Sequence, residues 1–257
     1  MQIGGLQKLT LIDFPGKLAC TVFCLGCDFR CPWCYSKELV LPEEIEKQSK
    51  VSEKDFFDFL KKRKGLLEAV TICGGEPSIN SDLPQFCKKI KKMGFEIKID
   101  TNGSNPQMLR NLIDKKLVDY VAMDIKAPLE PNFQFSLIAK QLQGAERLIP
   151  ISNFQSKYEK VIGLRIDLDK IKKSIGIIKG SGIDYEFRTT VVPTIHTKED
   201  IVQIAKDISP AKKYFLQNFR PEKTIDPDFE KIKPYPDEYL SSCCQAISPF
   251  FDTCQIR

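Results

Sequence analysis

Four cysteines stand close together in CLGCDFRCPWCYS, Cys24 to Ser36, with two, three and two residues between successive thiols. Thiolates at such spacings bind soft metal ions or iron–sulfur clusters, and the number engaged decides the chemistry. Four protein thiolates close a centre and confine it to structure or electron transfer. Three leave one coordination position for an exogenous molecule, the arrangement that catalysis requires. A zinc site of four cysteines usually draws on two pairs set roughly a dozen or more residues apart, whereas these four share one short loop. Mixed Cys/His zinc is nearly excluded, because the single histidine, His196, is distant in sequence. Spacing by itself leaves three and four thiolates both open.

The rest of the composition bears on what the thiols are for. The N-terminal stretch MQIGGLQKLTLIDFPG carries Gln2, Gln7, Lys8 and Asp13, so it lacks the continuous apolar core of a signal peptide. No run reaches the roughly 18 apolar residues of a membrane span. A cytoplasmic protein is expected, and in a reducing compartment ten cysteines read as metal ligands, reactive thiols and small buried residues instead of disulfides. The net charge of +5 arises from 39 basic and 34 acidic residues, with the excess in helix-surface runs such as Lys61-Lys62-Arg63-Lys64. That is a solvated surface, which argues against nucleic-acid binding.

The elements that must position the loop follow from periodicity. ACTVFC (19–24), EAVTIC (68–73), FEIKIDT (95–101), VDYVAMDIK (118–126), DYEFRTTVV (184–192) and KYFLQNF (213–219) are expected strands, rich in β-branched and aromatic residues. Helices are expected between them, over about 83–93, 107–115 and 168–179. Two further helices start at capping-box-like signals, Ser52 with Asp55 and Thr197 with Asp200. Alternation of this kind predicts an α/β fold with parallel strands, barrel-like, in one domain over 1–257. Residues 129–157, rich in Asn, Gln and Pro, break the rhythm and read as a surface insertion with one short helix near 136–143; residues 220–257, with a helix over 237–247 and a strand near DTCQIR, read as a C-terminal cap.

In such folds chemistry gathers at the carboxyl ends of strands. The cysteine loop follows the first expected strand, GGEP (74–77) the second, DTNG (100–103) the third, DIKAP (124–128) the fourth and RTTVVP (188–193) the fifth. Gly74 and Gly75 let backbone approach a ligand and present N–H groups, Glu76 and Pro77 add an acceptor in a rigid turn, and Asp100, Asn102, Asp124 and Lys126 bring polar groups to the same rim. A closed electron-transfer cluster has no use for such a ring. The expectation is therefore Cys27, Cys31 and Cys34 as cluster ligands, with one iron free to bind a polar small molecule.

Cys27-x3-Cys31-x2-Cys34, with Trp33 inside it and GGEP after it, resembles the radical S-adenosylmethionine enzymes, whose fold is a partial (β/α)6 TIM-like barrel. The opening GGLQKLTLIDFPGKLACTVFCLGCDFRCPWCYSKELV, with TICGGEP, IDTNG, MDIKAP, YEFRTTVVP and LQNFRP, is similar to the activating proteins of anaerobic ribonucleoside-triphosphate reductase, relatives of the pyruvate formate-lyase activators. One difference is Tyr35-Ser36-Lys37, where relatives carry His-Asn-Pro. The resemblance implies a 4Fe-4S cluster on Cys27, Cys31 and Cys34 and S-adenosylmethionine chelated to its open iron. It places backbone around Gly74, Gly75 and Glu76 at the methionyl amino group, Trp33 and Tyr35 near the adenosine, and Asp100, Asp124 and Lys126 on the rest. It also implies a low-potential electron donor and, as substrate, a glycine of a partner glycyl radical enzyme, anaerobic ribonucleotide reductase.

Two other functions compete: a radical enzyme acting on a different substrate, and a noncatalytic iron–sulfur or zinc module using Cys24 as a fourth ligand. Plainer roles are expected for several residues. Cys24 and Cys20 are packing residues, and Cys73, Cys87 and Cys254 are core. Cys243, Cys244 and Cys254 are poor cluster ligands, because vicinal residues on a helix point about 100° apart. His196 is expected to be a polar loop residue near a helix start. Arg188 serves either a cofactor carboxylate or an internal acid, and Lys126, on a buried strand, needs a partner.

Overall fold

The computed structural model describes residues 1–129 and 156–257. Nearly all of the expected insertion, including its short helix, lies outside the described residues. The chain runs β1 (Ile3–Thr10), β2 (Ala19–Cys24), α1 (Lys37–Val40), α2 (Pro42–Ile45), α3 (Glu53–Lys62), β3 (Ala69–Gly74), α4 (Leu83–Lys92), β4 (Glu96–Thr101), α5 (Pro106–Asp114) and β5 (Tyr120–Asp124). It continues with α6 (Lys157–Ile162), α7 (Leu168–Gly180), β6 (Asp184–Val191), α8 (Lys198–Ile208), β7 (Ala211–Asn218), α9 (Asp237–Ile247) and β8 (Phe251–Ile256). The described residues form two compact units. The first comprises Met1–Asp28, Ser36–Met123 and Lys173–Tyr185; the second comprises Phe29–Tyr35, Glu186–Arg257 and the described part of Asp124–Lys172.

In the first unit β2, β3, β4 and β5 are parallel neighbours, with Cys20 opposite Val70, Val70 opposite Ile97 and Ile99 opposite Val121. The runs of β2, β3 and β5 are largely apolar, and in ACTVFC only Phe23 is not buried, whereas β4 alternates Ile97 and Ile99 with Glu96, Lys98 and Asp100. The helices supply the cover. Ser52 Oγ accepts the Asp55 N–H at 3.0 Å and starts α3, which buries Phe56 and Leu60. Phe56 stacks on Phe86 of α4 with ring centroids 5.2 Å apart.

The strand count departs from the sequence reading. IGGLQKLT, not expected to be regular, is β1, paired antiparallel with β2. Only Ile3 and Thr10 of it are buried, so it lacks the apolar run that marks a strand such as β2 or β3. The insertion therefore follows the fifth strand of the chain, the fourth of those foreseen.

The second unit holds the parallel neighbours β6, β7 and β8, with Phe187 opposite Tyr214 and Tyr214 opposite Cys254. The Thr197–Asp200 capping box starts α8, whose Ile201, Ile204, Ala205 and Ile208 are buried. A second box, Ser156 with Glu159, starts the short helix α6, and Gly163 closes it in the left-handed region. The helix foreseen over 237–247 is α9 and the terminal strand is β8.

Phe56, fully buried and stacked, is the firmest test of the first unit's core. Phe56→Ala is expected to cost about 3–5 kcal/mol, read as a lowered urea midpoint with unchanged slope; a loss under about 1 kcal/mol would show that this helix pair is not core.

Candidate functional site

The exits of β3 and β4 lie in the first unit. Gly74 has φ +113°, and a Cβ there would lie 2.4 Å from the Cys24 nitrogen; a Cβ on Gly75 would lie 1.9 Å from the Gly26 carbonyl oxygen. Only glycine lets the two chains run this close. The Gly75 N–H donates to Cys24 O at 2.9 Å and the Glu76 N–H to Gly26 O at 2.8 Å. This corrects the expectation that the Gly-Gly pair presents N–H groups to a ligand, because the backbone leaving β2 already takes those of Gly75 and Glu76.

The Glu76 side chain is likewise turned inward. It is 1% exposed and accepts from the Ser78 N–H at 3.0 Å, the Thr101 hydroxyl at 2.7 Å and the Asn102 N–H at 2.6 Å. Burial pushes its carboxyl up to about 7 against those three donors. Glu76 thus braces the end of β3 to the end of β4. Asn102, fixed by that brace, donates from Nδ2 to Asp28 Oδ1 at 2.9 Å and lies 4.0 Å from the Cys27 sulfur. Asp100 takes the Lys98 ammonium at 2.5 Å. Lys98, 2% exposed, was not singled out from the sequence, although a lysine at an inward position two residues before an acid is the signal.

The second unit holds Cys31 and Cys34 on a backbone pinned at several points. The Cys34 N–H donates to Cys31 O at 3.0 Å, closing a turn around Pro32 and Trp33. The Arg30 N–H donates to Ile162 O at 2.8 Å, the Asp226 N–H to Pro32 O at 2.9 Å and the Ile225 N–H to Cys34 O at 3.0 Å. Gly163 permits the first of these, since a Cβ at its φ of +72° would stand 2.4 Å from Arg30 O. Cys34 is partly exposed and Cys31 buried, and burial pushes the Cys31 thiol up to about 12. Trp33 is 4% exposed, and its indole Nε1 has no hydrogen-bond partner among the described residues.

Over the Trp33 ring, 5.2 Å from its centroid, sits the Lys126 ammonium. Lys126 finds the partner its position demanded: Asp124 Oδ2 at 2.9 Å, while Arg188 Nε donates to Asp124 Oδ1 at 2.9 Å. Burial alone would raise the Asp124 carboxyl, but the Arg188 and Lys126 charges outweigh it and hold the group well below the usual carboxylate range. Arg188 therefore serves the internal acid.

The Lys126 backbone is also fixed at both ends. Its N–H donates to Tyr158 Oη at 3.3 Å, and its carbonyl meets His196 Nε2 at 2.8 Å. The Val192 N–H donates to His196 Nδ1 at 3.0 Å, which assigns the imidazole proton to Nε2. His196 is the loop residue before a helix start that was foreseen, and it is buried there. It is 1% exposed, and burial lowers its titration to about 4.

Other thiols sort as follows. Cys20, Cys24 and Cys87 are buried as foreseen, whereas Cys73 and Cys254 are partly exposed, against the expectation of core positions. Tyr35 is 49% exposed. Among the described residues no three Cys, His, Asp or Glu side chains are gathered as a ready ion-binding set. Fit to an iron–sulfur group therefore rests on donor chemistry: three thiols from Cys27 to Cys34, and between two of them a buried indole N–H awaiting an acceptor. No described helix is long and apolar enough to cross a membrane.

Residues 21–208 match the model of the radical SAM superfamily. The chain belongs to that superfamily, enzymes built on a 4Fe-4S cluster and S-adenosylmethionine. It is 32% identical to a Methanocaldococcus jannaschii protein named as a candidate glycyl-radical enzyme activating enzyme, over 99% of this chain and 95% of that one. A second such M. jannaschii protein is 23% identical over 93% of this chain and 84% of that one. Among solved structures, Streptococcus suis SuiB bound to S-adenosylmethionine matches with a TM-score of 0.62 at 15% identity, over 90% of this chain and 48% of SuiB, about half its length. A TYW1 structure matches with a TM-score of 0.58 at 12% identity, over 90% of this chain and 73% of that one. The α/β fold of the radical SAM type, rich in parallel strands, is therefore the fold of this chain.

His196, the single histidine, offers a direct pH test. A folded titration near 4 against an ordinary 6.5 means stability that is complete above 6.5 and lost as pH falls towards 4, about 3 kcal/mol in all. Nitrogen NMR of labelled histidine is expected to show a neutral Nε2–H imidazole down to about pH 5. Titration near the ordinary value would contradict the buried clamp.

Proposed function

We propose that this protein cleaves S-adenosylmethionine reductively and uses the product to install a glycyl radical on a partner enzyme, anaerobic ribonucleoside-triphosphate reductase. The observation that carries the reading is the Cys27-x3-Cys31-x2-Cys34 loop, its second half pinned by backbone hydrogen bonds, in a chain that aligns over nearly its whole length with a relative named as a candidate glycyl-radical enzyme activating enzyme. With cluster and S-adenosylmethionine bound and an external low-potential donor, one-electron reduction of the sulfonium supplies a 5'-deoxyadenosyl radical able to take hydrogen from a glycine α-carbon.

Cys27, Cys31 and Cys34 would hold the cluster, losing thiol protons as they bind. With the Gly75 and Glu76 N–H groups engaged, the segment Gly74 to Glu76 would meet an ammonium through carbonyl oxygens. Trp33 and Tyr35 would flank the adenosine. Asp124 would hold Lys126 charged beside Trp33, where the ammonium can meet a carboxylate or a ribose oxygen, and Asp100 would be steadied by Lys98. Cys24, wholly buried, would take no part.

Protein reconstituted anaerobically with iron and sulfide, then given dithionite and S-adenosylmethionine, is expected to release 5'-deoxyadenosine. Cys31→Ala should abolish it, and Cys24→Ala should keep cluster and activity. A well-loaded cluster without product would reject the radical reading, and loss of the cluster in Cys24→Ala would favour a four-thiolate module. Addition of the reductase should produce a glycyl radical signal in electron paramagnetic resonance; cofactor cleavage without that signal would assign a different substrate.

A further inference from the structure

Cys244 on α9 and Cys254 on β8 lie far from the cysteine loop in sequence and have no part in the function above. Their sulfurs are 3.1 Å apart, and Cys254 Sγ is also 3.8 Å from the Cys244 carbonyl oxygen. The neighbouring Cys243 is buried, so the helix turns one thiol of its vicinal pair into the core and leaves the other partly exposed. Cys244 lines an open cavity of about 460 Å³ with Ser241, Gln245, Ser248, Gln255 and Ile256; Cys254 does not. One thiol thus lines an open cavity, and its partner's sulfur, itself partly exposed, lies within reach of it.

We propose that Cys244 and Cys254 are a redox-active dithiol that exchanges with the disulfide of a small thiol entering by this cavity. Cys244, as thiolate, attacks one sulfur of the incoming disulfide, breaking its S–S bond and releasing one small thiol. Cys254 then attacks the Cys244 sulfur, forming the protein disulfide and releasing the second small thiol. The protein loses two electrons and two protons, and the small disulfide gains both. The sulfurs need move only about 1 Å to reach bonding distance. The order of attack follows from access, because Cys244 lines the cavity and Cys254 does not. Closure ties α9 to β8, and does not involve the cluster thiols.

The test uses the cluster-loaded protein held without oxygen and treated with oxidised glutathione. After acid quench, alkylation and chymotryptic digestion, mass spectrometry is expected to find Cys244 joined to Cys254, lighter by two hydrogens, unalkylated and restored by dithiothreitol. Cys254→Ser should stall with glutathione on Cys244, Cys244→Ser should leave Cys254 a free thiol, and Cys243→Ser should close normally. Full alkylation of both thiols in the treated wild type, or a bond to Cys243 instead, would overturn the proposal. None of these readouts depends on S-adenosylmethionine cleavage, so the outcome is independent of the proposed function.

Discussion

The feature on which the rest turns is the fixed backbone of the segment from Arg30 to Cys34. Its main-chain groups are taken by Ile162, Ile225 and Asp226 and by its own Cys31–Cys34 turn. A segment so constrained holds Cys31 and Cys34 on a backbone with little freedom to move. The supports are local and ordinary: a capped two-turn helix ending in a left-handed glycine, and a return segment supplying two N–H donors. Rigidity of this kind suits a centre that must keep a position for a second molecule.

Electrostatics extends the same theme. Polar residues at the strand ends are paired within each unit. Asp124 is held between Lys126 and Arg188, Asp100 by Lys98, and Glu76 by three donors. Buried charges persist only when paired in this way. The pairing also orients them, since Lys126 is fixed by its side chain to Asp124 and by its backbone to Tyr158 and His196. Preorganised charges need no rearrangement when a charged cofactor binds.

Much of this was legible in the chain. Segments rich in β-branched and aromatic residues marked β2 to β7, and Ser52 and Thr197 marked the starts of α3 and α8, because strand propensity and helix capping are written locally. The thiol spacing and the glycine and acid residues after each strand were legible for the same reason. What could not be read depends on which distant residues meet. β1 is a strand through its partner β2, not through its own pattern. His196 looks polar in sequence and is buried because the carbonyl of Lys126 and the N–H of Val192 close on it. Glu76 looks like a ligand acceptor and is a brace. Cys244 and Cys254 become a pair only once α9 packs against β8.

The central claim is that protein sulfur fills three positions of the cluster and leaves one iron open to S-adenosylmethionine. Mössbauer spectroscopy of protein reconstituted with isotopically labelled iron, before and after adding S-adenosylmethionine, tests it most directly. One iron in four shifting to higher coordination on addition is the predicted result. Four irons unchanged by the addition would contradict the account.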